Sequence, residues 1–206
     1  MGQEIERKFK VIPDLLPDLN LLQWKDIVQY YYRKSDFGVV VKGIKRDIII
    51  EFTPRRSQIK LCISLPIKDS GAFFSLLFNR PQIRFRIING TNYILGFKSK
   101  RIGNNPGRGE FEFPQKLDAA AVQEIINLSP YFPVSKMRYH YPFEGLVWEI
   151  DVYRERNEDL IDTEVEMPKS DFDLTGKKPF WVGDEITFDR RYGNSQLALH
   201  PYQSWV

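Results

Sequence analysis

Residues that form disulfides or bind zinc are scarce in this chain of 206 residues. It contains one cysteine, Cys62, and two histidines, His140 and His200, which lie far apart in the sequence. A single cysteine cannot form an internal disulfide, and two separated histidines do not make a zinc motif. We therefore expect a protein of a reducing compartment, with the cytoplasm as the default.

The chain also lacks long apolar runs and a strong excess of charge of either sign. No hydrophobic stretch approaches the length of a membrane span, and the N-terminus opens on charge where a secretory signal would be apolar. The 30 lysines and arginines are nearly balanced by 27 aspartates and glutamates, so the net charge is only +3. A nonspecific nucleic-acid binder normally has a basic excess gathered in one patch. We therefore expect neither a membrane nor a nucleic-acid polymer as a partner.

Hydrophobic residues, in contrast, are abundant and follow recognisable patterns. They make up 42% of the chain, which is enough for a sizeable core, and no repeat or linker divides the sequence. Asp118, followed by three alanines and an apolar face, predicts the clearest helix, which ends near Leu128. Two prolines predict a loop with a short helix between residues 12 and 27. We predict one domain over residues 1–206.

Runs of β-branched and aromatic residues predict that most of the chain forms strands. Two or three strands are expected between about 38 and 65. Tyr30, Tyr31 and Tyr32 are interpreted as packing residues of a strand. Strands are also predicted at about 28–33, 82–88, 93–100, 134–141, 146–153 and 160–167, and a short buried helix or apolar loop at 70–78.

Charged residues occupy alternate positions of several predicted strands. The first strand carries Glu4, Glu6 and Lys8 at one parity. Ile5 and Phe9 hold the other parity. Since alternate side chains leave the same face of a strand, the charges stand in one row. The same pattern recurs in Arg84 and Arg86; Lys98 and Lys100; Arg108, Glu110 and Glu112; Lys136 and Arg138; Glu149 and Asp151; and Glu164 and Glu166.

These charged rows differ from the polar face of an ordinary sheet, which is the commoner explanation for any one strand. Surface strands usually mix threonine, serine and glutamine, whereas these rows hold almost only charges, mostly of one sign. Carboxylate rows suit a hard divalent cation, and guanidinium rows suit phosphate oxygens. Both together indicate a metal-bound polyphosphate site.

The charged rows also predict the architecture. If the charged faces point inward and the apolar faces outward, the strands close into a barrel with a polar lumen filled by water and ions. We therefore predict an α+β, mainly β fold: a closed antiparallel tunnel barrel with helices packed outside.

Seven motifs follow one another from residue 4 to residue 166. They are ExExK at residues 4–8, Ile83-Arg84-Phe85-Arg86, Phe97-Lys98, Arg108-Gly109-Glu110-Phe111-Glu112, Lys136-Met137-Arg138-Tyr139, Trp148-Glu149-Ile150-Asp151 and Glu164-Val165-Glu166. In this order they resemble the motifs of the CYTH superfamily, also called the triphosphate tunnel metalloenzymes. The tail, at residues 181–198, is similar to the end of bacterial members.

This resemblance implies an eight-stranded antiparallel tunnel that binds a triphosphate end-on and hydrolyses it with Mg²⁺ or Mn²⁺. It implies a catalytic role for Lys8 beside the scissile group. The phosphate-binding residues that it implies are Arg84, Arg86, Lys98, Arg108, Lys136 and Arg138. The metal ligands that it implies are Glu4, Glu6, Glu164 and Glu166, with Glu110, Glu112 and Asp151 as further ligands or water-positioning groups.

The spacing between Lys8 and Arg84 is longer than in short bacterial members of this family. We therefore predict a β-rich insertion at about 38–65. Hydrolysis of inorganic tripolyphosphate is the leading hypothesis. An adenylyl cyclase or a thiamine-triphosphatase of the same fold stays open, as does a non-catalytic polyphosphate or nucleotide sensor, and a homodimer is considered as the assembly.

Overall fold

The computed structural model describes residues 2–44, 46–99 and 107–205, with side chains from residue 5 onward. The strands are β1 (Gly2–Val11), β2 (Gln23–Tyr32), β3 (Phe37–Ile44), β4 (Asp47–Pro54), β5 (Leu61–Pro66), β6 (Gln82–Ile88), β7 (Asn92–Lys98), β8 (Gly107–Gln115), β9 (Val134–Phe143), β10 (Leu146–Tyr153), β11 (Ile161–Glu166) and β12 (Val182–Glu185). The α-helices are α1 (Ile67–Phe78), α2 (Ala119–Asn127) and α3 (Asn194–Leu197).

Eight antiparallel strands form a closed barrel, in the order β1, β11, β10, β9, β2, β6, β7 and β8, after which β8 pairs with β1. β1 makes the closure because its first half pairs with β8, while its second half pairs with β11 and with the short strand β12. Closure pairs the strand edges that would otherwise be exposed. The predicted eight-stranded barrel is confirmed.

Apolar side chains cover the outside of this barrel in separate clusters. Phe85, Leu95 and Phe97 pack with Phe73 of α1 and with Phe52 of β4. On the β1, β10 and β11 side, a second cluster joins Phe9, Trp148, Ile150 and Val165 to Trp181 of the C-terminal segment. Because side chains alternate along a strand, burying these residues outside turns their charged neighbours toward the lumen.

The β-rich segment predicted as an insertion forms its own antiparallel sheet, β3-β4-β5. One face, with Ile50, Phe52 and Ile63, is buried in the cluster beside α1. None of these strands belongs to the barrel sheet. That this sheet is an insertion into the tunnel domain stays a prediction.

The helix prediction near residue 118 is confirmed, since Asp118 caps α2 by accepting a hydrogen bond from the backbone of Ala121 at 2.8 Å. The loop with a short helix predicted before β2 contains two short 3₁₀ helices, Pro13–Leu15 and Leu19–Leu21. The predicted start of the strand at 28 is wrong, because β2 begins five residues earlier, at Gln23. Its first residues are exposed and lack apolar alternation, and they are held by pairing with β9.

No helix in the described part of the chain is long and apolar enough to cross a membrane.

Candidate functional site

The barrel surrounds a cavity of about 1060 Å³. Its lining includes residues of every charged row: Glu6, Lys8, Arg84, Arg86, Lys98, Arg108, Arg138, Glu149, Glu164 and Glu166. The C-terminal residues 186–190 and 192–196 line it as well. There Gln82 donates to Ser195 Oγ at 2.6 Å, and the Tyr153 hydroxyl donates to Asn194 Oδ1 at 2.7 Å. These bonds place the C-terminal segment across the end of the barrel where β6 begins and β10 ends.

The register of β1, β10 and β11 brings carboxylates together on one wall. Glu6 lies opposite Glu166 across the β1–β11 pair, and Glu149 lies opposite Glu164 across the β10–β11 pair. Directly paired residues on one face have Cβ atoms about 5 Å apart. This wall therefore offers several oxygen ligands within reach of one another.

Lys8 lies in the same wall and is held between two carboxylates. Its Nζ atom is 2.8 Å from Asp162 Oδ2 and 2.9 Å from Glu164 Oε1, and the residue is only 6% exposed. Burial opposes the charged form, but the Asp162 and Glu164 carboxylates outweigh it and raise the pKa of Lys8 well above its ordinary value. Lys8 is therefore a fixed ammonium at neutral pH.

The opposite wall, on β6, β7 and β8, interleaves cations with glutamates. Arg84 pairs with Glu110 and lies 2.8 Å from Glu112 Oε1, and Arg86 lies 3.0 Å from the same oxygen. Lys98 Nζ lies 3.0 Å from Glu110 Oε2. The ion pairs continue from this wall to β1, where Glu6 pairs with Lys98 at 3.1 Å and with Arg108.

Arg138 on β9 connects the carboxylates of β10 and β11. It is 2.7 Å from Asp151 Oδ1 through Nε and 2.7 Å from Glu164 Oε2 through Nη2, and it also pairs with Glu149. Burial works against its charge, but Asp151 and Glu149 outweigh that cost, so the pKa of Arg138 lies well above its ordinary value. Arg138 therefore stays charged at neutral pH and well above it.

Lys136 and Asp151 occupy a different position from the one expected for ligands of substrate or metal. Both are 0% exposed, they pair with each other, and neither lines the cavity. Burial and the neighbouring Arg138 charge lower the pKa of Lys136 to about 8. This pair therefore lies beneath the wall, where it supports Arg138.

Gly96 on β7 leaves room for the Arg84 side chain, which passes over it toward Glu110 and Glu112 of β8. The two residues are paired across β6 and β7, and a Cβ atom at position 96 would lie 3.0 Å from both Cγ and Nε of Arg84. A side chain here therefore competes with the arginine for the same space.

We expect Gly96→Val to displace the Arg84 guanidinium from Glu110 and Glu112 and so to weaken substrate binding. The expected result is a rise in KM of about tenfold, equivalent to about 1.4 kcal/mol, for any phosphate substrate of the cavity. Steady-state kinetics would measure it. Gly43→Val is the matched control, because a Cβ there meets no atom within 4 Å and Gly43 lies on β3. An unchanged KM in Gly96→Val would contradict this account of Arg84.

The donor chemistry of the β1–β11 wall fits a hard divalent cation, because its ligands are carboxylate oxygens. Among the described residues, however, no group of three or more carboxylate, histidine or cysteine side chains is already gathered tightly enough to hold a metal ion. Glu6 and Glu164 are instead engaged by cations of the protein. Lys100 and the side chain of Glu4 lie outside the described residues.

Sequence reasoning missed some residues of the site. Asp162, the partner of Lys8, has the same parity as Glu164 and could have been found from that signal. Gln29 and Tyr31 line the cavity from β2, at alternate positions of that strand. The residues of the C-terminal segment had no periodic signal to reveal them.

Comparison with known proteins places this geometry in a family. An inorganic triphosphatase from Acetivibrio thermocellus is 36% identical over 125 residues, which cover 60% of this chain and 76% of that protein. One from Nitrosomonas europaea is 30% identical over 111 residues, 53% of this chain and 70% of that protein. The crystal structure of the inorganic triphosphatase NE1496 matches the fold with a TM-score of 0.55 at 24% identity, over 97% of this chain and 96% of that one.

No protein-family profile matches the chain. The relatives and the shared barrel are nevertheless sufficient to assign the family, because the relative from Acetivibrio thermocellus aligns over three quarters of its own length. The chain belongs to the CYTH superfamily of triphosphate tunnel metalloenzymes.

Proposed function

We propose that this protein hydrolyses a phosphoanhydride bond of a triphosphate, with inorganic tripolyphosphate as the substrate and Mg²⁺ or Mn²⁺ as the cofactor. The observation that carries the proposal is the alternation of cations and carboxylates around the cavity within the barrel. Two relatives that are inorganic triphosphatases support it.

Substrate binding in such a cavity is an exchange of partners. Arg84, Arg86 and Lys98 are paired with glutamates in the described structure. Phosphate oxygens also bind guanidinium groups in a bidentate manner, so they compete with these glutamates. A triphosphate that takes Lys98 and Arg108 releases Glu6, which then becomes available to a metal ion.

The metal ligands that we propose are Glu6, Glu164 and Glu166, together with Glu4 from the preceding position of the same row. Glu110 and Glu112 lie on the opposite wall, where they would orient the arginines or a water molecule. A bound divalent cation would polarise the phosphoryl oxygens and favour deprotonation of the attacking water. Asp151 keeps its position beneath Arg138.

Lys8 supplies positive charge to the reacting phosphoryl group. Its ammonium lies between the acidic wall and the cavity, and it is held in place by Asp162 and Glu164. Phosphoryl transfer needs positioning and charge stabilisation more than covalent chemistry. A preorganised, buried ammonium is suited to stabilise charge on the phosphoryl oxygens.

We further propose that the protein works in the cytoplasm on a small-molecule triphosphate. Its one cysteine, Cys62, is an exposed free thiol, which is ordinary in a reducing compartment.

The test is phosphate release from tripolyphosphate, ATP and thiamine triphosphate, each with Mg²⁺, Mn²⁺ or EDTA. We expect the highest kcat/KM on tripolyphosphate with a metal, and loss of activity with EDTA that returns when the metal is restored. Formation of cyclic AMP from ATP would favour the cyclase instead. Metal-independent binding of all three compounds without turnover would contradict the enzyme and favour a sensor.

A further inference from the structure

A buried carboxylate, that of Asp162, lies behind Lys8. No role in substrate or metal binding explains it. Asp162 is 0% exposed and does not line the cavity. Its Oδ2 atom is 2.8 Å from Lys8 Nζ, while Oδ1 is buried without a hydrogen-bond partner in the described part of the chain. An unsatisfied buried oxygen is costly, so such a group calls for an explanation.

The two anchors of Lys8 differ in what can reach them. Glu164 lines the cavity, where a metal or a substrate can engage it. Asp162 lies behind Lys8, out of reach of both. When Glu164 turns to a ligand in the cavity, Asp162 therefore remains as the carboxylate that holds the ammonium.

The C-terminal segment closes the same cluster. The Tyr153 hydroxyl lies 3.3 Å from Asp162 Oδ2 and 3.4 Å from Lys8 Nζ, and it donates to Asn194 Oδ1. The backbone oxygen of Tyr192 lies 3.3 Å from Lys8 Nζ. The ammonium is therefore surrounded by a strand, a tyrosine and the C-terminal segment as well as by the cavity.

We propose that Asp162 is the positioning residue of Lys8: with Tyr153 and the C-terminal segment, it keeps the ammonium at one place in the site while Glu164 exchanges partners. This inference rests on the proposed function of the cavity. It assigns no contact between Asp162 and the substrate, so its loss acts on turnover and leaves the phosphate contacts in place.

The experiment compares Asp162→Asn with the wild-type protein on tripolyphosphate and the preferred metal. Asparagine keeps the shape of the side chain and removes its charge, and Glu164 still neutralises Lys8, so the variant is expected to fold. We expect kcat to fall about tenfold or more, with KM within about twofold of the wild-type value.

Two further variants make the result specific. Thr163→Val is the matched control, because Thr163 is buried next to Asp162, has the opposite parity and donates to the backbone oxygen of Glu149 at 3.1 Å. It is expected to lower stability and leave kcat unchanged. Tyr153→Phe removes only the hydroxyl of the cluster and is expected to lower kcat about threefold. It decides the question if Asp162→Asn does not fold.

A crystal structure of Asp162→Asn adds a readout that does not depend on activity. We expect Lys8 Nζ to leave residue 162 and move toward Glu164. Wild-type kcat in a folded Asp162→Asn or Tyr153→Phe, or an unmoved Lys8, would overturn the inference. An inactive wild-type protein would refute the proposed function instead, and the crystal structure would still decide whether Asp162 anchors Lys8.

Discussion

Lys8→Ala is expected to lower kcat for tripolyphosphate by about 100-fold or more, the usual effect of losing one group that stabilises the charge of a transition state. The physical reason is that Lys8 is a fully charged ammonium fixed at the edge of the cavity. Metal-dependent phosphate release measures the effect. The substitution also leaves Asp162 without its cation, so circular dichroism and thermal unfolding must accompany the kinetics.

Lys10→Ala is the matched control for that experiment. Lys10 lies on the same strand at the same parity, but it is exposed and does not line the cavity. We expect kcat and KM like those of the wild-type protein. Activity within a few-fold of wild type in a folded Lys8→Ala variant would refute the catalytic role of Lys8.

Asp151→Ala is expected to produce the largest loss of stability among substitutions in the site. It removes the carboxylate that neutralises Lys136, a residue that is 0% exposed, and breaking such a buried pair costs about 3–5 kcal/mol. Lys136→Met is expected to cost less, because Arg138 still neutralises Asp151 through two contacts of 2.7 Å. Urea unfolding would measure both free energies.

The same pair of variants tests what Lys136 does. Because Lys136 does not line the cavity, we expect Lys136→Met to leave KM for tripolyphosphate within about threefold of the wild-type value. A tenfold rise in KM would restore the phosphate-binding role that the family resemblance implies. Equal destabilisation by both variants would contradict the account of Arg138 as the second partner of Asp151.

The barrel and the direction of its charged rows could be predicted from the sequence because the side-chain period of a strand is two. Once Trp148 and Ile150 are placed outside, Glu149 must face inward. How deeply each side chain of a row is buried could not be predicted in this way. Periodicity puts Lys136 and Arg138 in one row, yet only Arg138 reaches the cavity, since depth depends on the neighbouring strands and on Tyr153.

Other parts of the site depend on contacts between distant parts of the chain. Tyr31 packs in a buried cluster with Val134 and Leu197, as interpreted, but it also lines the cavity, which its position in the sequence did not reveal. Tyr32, on the opposite face, belongs to the outer cluster. Ser195 reaches the site through a bond to Gln82, which lies 113 positions away in the sequence. No local pattern encodes such a contact.

The ion pairs of the cavity have a consequence for how products leave. Every glutamate that pairs with an arginine competes with a bound phosphate for that arginine. Because the glutamate belongs to the same protein, its effective concentration beside the arginine is high whenever the phosphate dissociates. A triphosphate displaces several of these competitors together, whereas a single phosphate or a diphosphate displaces fewer. On the proposed function, Glu112 would recover Arg84 and Arg86 after hydrolysis and so favour release of the shortened product. The protein's own carboxylates would then weaken inhibition by the products.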